Sequence, residues 1–315
     1  MKRNLLLCAW ALAACSATHD RIIEEPPGGP DTFRVAAIHL HGESGDRTSD
    51  EKAEAILKRN FDRCAQMVRR AARAGAKVIV TPEYIDTGVA LMPSECAHVC
   101  TTVPQPPTTK PLFDPSFEGQ GLNDNLIGYS RLAKETGAYL VANVFEHYTS
   151  IFGEERYFNT AVAFDPEGRL VAAYRKINLY LWEYRNLWRG YETSYFDTPW
   201  GRFGMLLCFD ALFPTTWGDL SITKECDFFT LQSYWEHAPL TGRMASNMLA
   251  DLSGIPVIWS NQRRIGLAGD AGVIRPYADD TAMGLWGPPG VVIANLKIPH
   301  RLRVDENSPV VATTK

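Results

Sequence analysis

An α/β or α+β fold, with apolar strands layered between helices, is predicted by three features of the 315-residue chain. Runs such as FRVAAIHL (33–40), AYLVANVF (138–145) and FGMLLCFD (203–210) are short and apolar throughout, as strands covered on both faces are. Segments with helical apolar spacing lie between several of them. No linker interrupts residues 32–300, so they form one predicted domain. Hydrophobic residues make up 45% and charged residues 22%, an ordinary globular balance that allows a sizeable core. The net charge of −4 offers no basic field to attract nucleic acid.

Residues 1–17 read as an export segment. Lys2 and Arg3 give a positive start, and Leu5 to Ala14 form an apolar stretch too short to span a bilayer. Leu12-Ala13-Ala14-Cys15-Ser16 resembles a bacterial lipobox, which makes Cys15 the candidate lipidation site. The alternative is a secretory signal cleaved near Ala17. The lipobox reading places the protein on the periplasmic or cell-surface side of a membrane, held by an N-terminal lipid. Residues 18–31 are rich in Pro and Gly and read as a tether, and 301–315 as a tail. Of seven Cys, Cys8 and Cys15 belong to the export segment. Cys64, Cys96, Cys100, Cys208 and Cys226 remain, an odd number that makes a reactive thiol worth seeking. Cys96 and Cys100 share one loop, as a disulfide or as two thiols.

The elements follow in order. Residues 33–40 are a buried strand. Ala53, Ile56, Leu57, Phe61, Cys64, Val68 and Ala71 predict a helix over 50–74, closed by Gly75. KVIVTPE (77–83) is a strand stopped at Pro82. Residues 86–122 form a long Pro-rich loop, the kind that serves as a lid. A helix over 123–136, ended by Gly137, precedes the strand at 138–145. YFNTAVAFD (157–165) and LVAAYRKINL (170–179) form a hairpin around Pro166-Glu167-Gly168. Strands at 203–210 and 227–235 flank a helical segment. A helix over 238–253 and strands at 255–262, 271–276 and 291–296 complete the domain.

Several chemistries are excluded. The seven His form neither HExxH nor a Cys–His zinc pattern, and His39 and His41 lack a third ligand. No metal or other cofactor is therefore expected. GxSxG, GxGxxG and P-loop motifs are absent. Cys208 stands where an apolar strand runs into a turn, where α/β folds place reactive groups. Position alone fits a nucleophile and a buried core thiol equally well. Glu83 stands at the end of VIVTP, where partial desolvation raises a carboxylate's pKa toward the range of a base; an exposed loop Glu fits the position too. Lys176 lies within a strand-like run, where it must be paired, reach a cavity or face solvent at an edge.

Together, VTPE ending at Glu83, YRKINLY around Lys176 and LLCFD around Cys208 resemble the nitrilase, or carbon–nitrogen hydrolase, superfamily. Its hallmark is Glu, Lys and Cys in that order at strand ends. Cys208 follows Lys176 by 32 residues, an interval typical of the family. The resemblance runs from about residue 33 to 296. YFNTAVAFDPEGRLVAAYRKINLY, CFDALFP and the stretch from Trp235 through Asn261 are most similar to the vanin and biotinidase branch. Vanins cleave pantetheine and biotinidase frees biotin from its lysine amide.

The resemblance implies a four-layer α-β-β-α sandwich and a small-molecule amide substrate. It implies attack by the Cys208 thiolate, favoured by Lys176 and a nearby base. Glu83 relays protons, and the Lys176 ammonium and the Phe209 N–H hold the oxyanion. Glu183 matches a further family Glu that orients Lys176 or the substrate; a surface Glu is the alternative. Trp235 is a candidate for the acyl pocket or for the core. Tyr84 and the 86–122 loop are candidates for a lid. Superfamily members often assemble through a sheet edge, so a homo-oligomer is among the implied partners, although vanin-like proteins need not assemble. Vanins carry a second β-rich domain for which this sequence has no room, so the chemistry carries over more firmly than the substrate. A nitrile, an N-carbamoyl compound or a simple aliphatic amide stays open as substrate, as does a binding protein on the same fold.

Overall fold

The computed structural model describes residues 21–45, 49–88, 99–235, 239–262, 270–277, 282–283 and 289–299. The predicted export segment with Cys15, the 301–315 tail and Cys96 lie outside them. The strands are β1 (Arg21–Glu24), β2 (Thr32–Leu40), β3 (Val78–Val80), β4 (Tyr139–Thr149), β5 (Glu155–Phe164), β6 (Leu170–Arg175), β7 (Tyr195–Thr198) and β8 (Gly201–Leu207). They continue with β9 (Phe228–Ser233), β10 (Val257–Gln262), β11 (Gly272–Ile274), β12 (Ala282–Met283) and β13 (Gly290–Lys297). The helices are α1 (Asp50–Arg73), α2 (Asp124–Thr136), the short α3 (Pro214–Gly218) and α4 (Pro239–Ser253).

One sheet runs β6-β5-β4-β3-β2-β13-β1 and a second runs β7-β8-β9-β10-β11-β12. They are joined where the tip of β2 pairs with β10, at His39–Asn261 and Leu40–Gln262. Alternation along β2 shows how they stack. Val35 and Ala37 point into a core shared with Phe203, Met205, Leu207 and Ile258 of the second sheet. Ala36, Ile38 and Leu40 point the other way, against Cys64, Val68 and Ala71 of α1 and Leu126, Leu132 and Ala133 of α2. A third core packs Ala245, Leu249 and Ala250 of α4 onto Leu231, Val257 and Trp259. Three cores separate four layers, the α-β-β-α sandwich expected. Such two-sided burial is why the strands read as unbroken apolar runs.

Local signals mark the helix ends. The Asn123 side chain caps α2 by accepting from the Leu126 N–H, and Gly137 ends it in the left-handed region at φ 61°. Gly242 lets α4 approach the sheet, since a Cβ there would meet the Trp235 and Trp259 rings at 2.8 Å.

Four expectations are refined. The 18–31 tether is packed in part, because Arg21–Glu24 pairs in parallel with β13. Glu25 fixes that strand by accepting from Arg275 at 2.7 Å and from the Asn295 N–H at 2.9 Å. The run 170–179 leaves the sheet after Arg175 rather than continuing. There the Asn178 N–H turns to the Asp210 carboxylate at 2.9 Å, across toward the second sheet. The helical segment expected after Cys208 is built from a 3₁₀ turn, α3 and a π-helical turn over Asp219–Thr223. The described end of the 86–122 loop is tied to the sheet, with Thr101 bridged to Glu146 and Pro111 to Arg169.

The turn after β3 buries a carboxyl. Asp86 accepts from the Tyr129 hydroxyl beneath α1 and α2. Burial pushes its pKa from 3.8 to about 7, against the hydrogen bonds from Tyr129 and Asn125. A carboxyl whose folded pKa is raised contributes most at low pH and loses stability as pH rises through that pKa. Asp86→Asn lacks this ionisation. Its stability relative to wild type is expected to rise by about 1.4 kcal/mol per pH unit between roughly pH 4 and 7. Urea unfolding across that range checks this, and a pH-independent difference would refute it.

Candidate active site

The inter-sheet core changes character along its length. At one end Phe196, Phe203 and Phe228 stack, with Phe203 and Phe228 centroids 4.8 Å apart, and Phe33 meets Phe203 and Phe228 edge-on. In the middle it is Val80, Val141, Ala161 and Ala172. Continuing along the same inward rows, the side chains become polar: Asn143 on β4, Asn159 on β5 and Lys176 just past β6. Glu83 follows β3 and Cys208 follows β8, so both stand at the carboxyl ends of parallel strands, as the sequence predicts. Pro82 ends the β3 ladder, and two glutamines from the second sheet hold the turn. Gln232 Nε2 donates to the Thr81 carbonyl at 2.8 Å and Gln262 Nε2 to that of Glu83 at 3.3 Å.

Lys176 is the centre of the cluster. Its Nζ donates to Glu83 Oε1 at 2.9 Å and to Glu183 Oε2 at 2.8 Å, with all three side chains at most 1% exposed. Asn159 Nδ2 donates to Glu83 Oε1 at 2.8 Å and to Glu183 Oε1 at 3.0 Å, bridging the two carboxylates. The Asn143 amide orients Asn159 at 2.7 Å, and its oxygen accepts from the Tyr84 N–H at 2.8 Å. Glu183 takes further donors from the Tyr84 hydroxyl and from the Tyr180 N–H at 2.6 Å. Of the two alternatives for Glu183, the buried partner of Lys176 is the one found.

These contacts set the two carboxylates apart. Burial pushes the Glu83 pKa up against the opposing Lys176 charge, and the Glu183 charge adds to the rise. For Glu183, burial is outweighed by the Lys176 charge and by its donors, and its pKa falls below the usual value. Burial works against the Lys176 ammonium too. Glu183 and Glu83 overcome it, and the pKa stands well above that of a free lysine. The same cluster thus pushes the two carboxyls in opposite directions, Glu183 down and Glu83 up.

Cys208 lies beside this cluster, 6% exposed, within reach of the charges of Glu83, Lys176 and Glu183. Burial, reinforced by Glu83, raises its pKa well above the normal thiol value despite the opposing Lys176. Lys176 does act in favour of the thiolate, as expected, but burial and the Glu83 charge outweigh it and shift the balance toward the thiol. Cys208 has φ 44° and Tyr84, after Glu83, has φ 56°. Left-handed backbone at a residue with a Cβ costs about 1–3 kcal/mol and persists where its surroundings over-determine it. The 3₁₀ turn Cys208–Leu212 places the Phe209 N–H in its first turn, ahead of the first intrahelical acceptor. The Phe209 ring packs against Tyr180 and Phe213.

Two expectations change here. Tyr84 is not a mobile lid, because its ring is buried, stacked on Phe145 at 5.2 Å and joined to Glu183 through its hydroxyl. Trp235 packs edge-on to Trp259 at 6.4 Å in the α4 core, so of its two readings the core one is found. Its neighbour Tyr234 faces the site instead, with its ring 6.2 Å from Tyr84 and its backbone N–H toward the Cys208 sulfur. Asn159, Asn143, Tyr234 and Asp210 went unrecognised in the sequence. The signal for Asn159 was a lone amide in the run YFNTAVAF. His39 Nδ1 lies 3.1 Å from the Asn261 carbonyl oxygen.

Lys176→Met keeps volume but strips the cation from two buried carboxylates. A loss of about 3–5 kcal/mol is expected at neutral pH, since the partners are left charged and buried. Without the cation both carboxyls acquire raised pKa values, so the deficit shrinks as pH falls toward about 4.5. Denaturant unfolding at two pH values checks this; a deficit that grows on acidification contradicts it.

A model of the carbon–nitrogen hydrolase family matches residues 35–300. Pantetheinase of Mus musculus is 31% identical over 65% of this chain and 42% of its own length. Biotinidase of Rattus norvegicus is 33% identical over 66% and 42%, and pantetheinase of Sus scrofa 30% identical over 82% and 51%. The chain thus spans about half the length of the curated relatives it matches. Among solved structures, an amidase from Nesterenkonia sp. AN1 superposes with a TM-score of 0.67 at 18% identity, covering 87% of this chain and 94% of that one. That likeness concerns the fold, a sandwich of the same kind. With the family model covering both sheets and the whole buried cluster, the chain belongs to the carbon–nitrogen hydrolase family.

Proposed function

We propose that the protein hydrolyses a linear, non-peptide amide through a thioester on Cys208. The observation that carries this reading is the buried Lys176 ammonium, fixed between Glu83 and Glu183 beside the Cys208 thiol. As the substrate carbonyl approaches, Glu83 takes the thiol proton while sulfur forms its bond to the carbonyl carbon. The developing oxyanion is held by Lys176 Nζ and the Phe209 N–H; loss of one such donor commonly costs about 10²–10³ in rate. Glu83 then passes its proton to the leaving amine, the C–N bond breaks and an acyl thioester remains. Water, deprotonated by Glu83, attacks the thioester and releases the acid and the Cys208 thiol. A carboxyl with a raised pKa suits the alternation of base and acid. Glu183 stays ionised and keeps Lys176 charged, a positioning role.

The substrate class follows from the relatives. Similarity to pantetheinase and biotinidase favours a pantetheine-like or biotin-amide-like substrate. The N-terminal segment supports export, with Cys15 as the lipid anchor. Mass spectrometry of the mature N-terminus is expected to find Cys15 as a lipidated first residue; an unmodified one removes the anchor.

A panel of pantetheine and biotinyl amides, nitriles, N-carbamoyl compounds and aliphatic amides tests the reaction. Turnover of an amide that vanishes in Cys208→Ala and falls at least about 10³-fold in Glu83→Gln is expected. Turnover confined to nitriles or N-carbamoyl compounds rejects the amide assignment, and a Cys208 inert to alkylation in the native protein points to a binding protein. The acid limb of kcat/KM reports Glu83. Activity falls as pH drops through its pKa, with a midpoint above 4.5, the ordinary glutamate value.

A further inference from the structure

We propose that Asp210 is a positioning residue that fixes where Cys208 stands relative to Lys176, a role that rests on the amidase reading above. Asp210 follows Cys208 by two residues, and its side chain is fully buried. Its carboxylate gathers four donors. Oδ2 accepts from the Leu207 N–H at 3.0 Å and the Tyr174 hydroxyl at 2.7 Å. Oδ1 accepts from the Asn178 N–H and Asn178 Nδ2, both at 2.9 Å. Leu207 immediately precedes the thiol. Tyr174 and Asn178 stand two residues before and two after Lys176. The Tyr174 oxygen also accepts from the Ile177 N–H at 3.2 Å, and Asn178 Nδ2 reaches Thr216 Oγ1 at 2.7 Å.

One carboxylate therefore ties the strand end that carries Lys176, in the first sheet, to the turn that carries Cys208, in the second. Its bond to Leu207 spans Cys208 itself and holds that residue at φ 44°. A neutral amide cannot replace it. Asn has one acceptor oxygen, and its NH₂ would face the backbone N–H of Leu207 or of Asn178, so at least one present bond becomes a donor–donor contact. The nucleophile would then settle away from the ammonium and from Glu83. Misplacement of about 1 Å costs on the order of 10²-fold in rate.

The test uses the full chain with Asp210→Asn and Tyr174→Phe. Two quantities are read: the rate at which iodoacetamide alkylates Cys208 in the native protein, and kcat and KM on the amide turned over fastest. In Asp210→Asn, alkylation is expected to slow at least about 10-fold and kcat to fall on the order of 10²-fold, with KM within about 3-fold. Tyr174→Phe removes one donor, keeps the carboxylate, and shows a smaller change in the same direction. The sign of the alkylation change separates positioning from loosening, because a loosened structure exposes the buried thiol and speeds the reaction. If Asp210→Asn does not fold, Tyr174→Phe and Asn178→Ala decide by the same readouts. A reactive wild type with equally or more reactive folded variants overturns the positioning role alone. A wild type whose Cys208 is inert and which turns over no amide overturns the amidase reading, and this role with it.

Discussion

The structure turns on one buried cation. Among the described residues Lys176 is the one lysine out of contact with solvent, and it would be untenable there alone. Two carboxylates make it tenable, and they in turn need it, since each is as buried as the lysine. Three strand or turn segments must therefore arrive together: the one after β3, the one after β6 and the turn at Glu183. Asn159 and Asn143 fill the remaining donor positions, so the cluster is satisfied across neighbouring strands rather than within one. The arrangement stabilises no more than a well-packed apolar core would; what it supplies is a fixed charge pattern.

The sandwich accommodates that pattern by grading its central layer. Aromatic rings close the amino ends of the parallel strands, small aliphatic side chains fill the middle, and ionisable groups occupy the carboxyl ends. The pairing of the β2 tip with β10 brings the two sheets together beside these groups. Left-handed backbone at both Tyr84 and Cys208 falls at the same level of the fold, directly after a strand end in each sheet. Strain placed there is borne by rigid neighbours, which is what a preorganised site requires.

Much of this was legible in the chain. Apolar runs interrupted by Pro82 and followed by Glu83, or running into Cys208, announced strand ends because buried strands tolerate charge only where they stop. Asn123 and Gly137 framed α2 through local chemistry that a short window contains. Other features were illegible for physical reasons. Alternation assigns side chains to two faces but does not say which face meets a second sheet, so Asn159 and Tyr234 gave no sign of converging on Glu83 and Cys208. Trp235 and Tyr234 are adjacent, and a one-residue difference in phase decides which enters the site. The end of β6 depends on Asp210, 32 residues beyond Asn178 and in the other sheet. β1 depends on β13, whose partner residues are more than 260 positions away.

The raised pKa of the buried Cys208 thiol has a consequence for the protein's durability. Oxidation by peroxides proceeds through the thiolate and through exposed sulfur, and burial with a raised pKa lowers both at Cys208 while the site is idle. In the proposed mechanism its nucleophilicity is created when a carbonyl and the Glu83 carboxylate meet the thiol together. A sulfur atom whose ionisation is held back between turnovers meets oxidants less often in its reactive form than a permanently ionised one does.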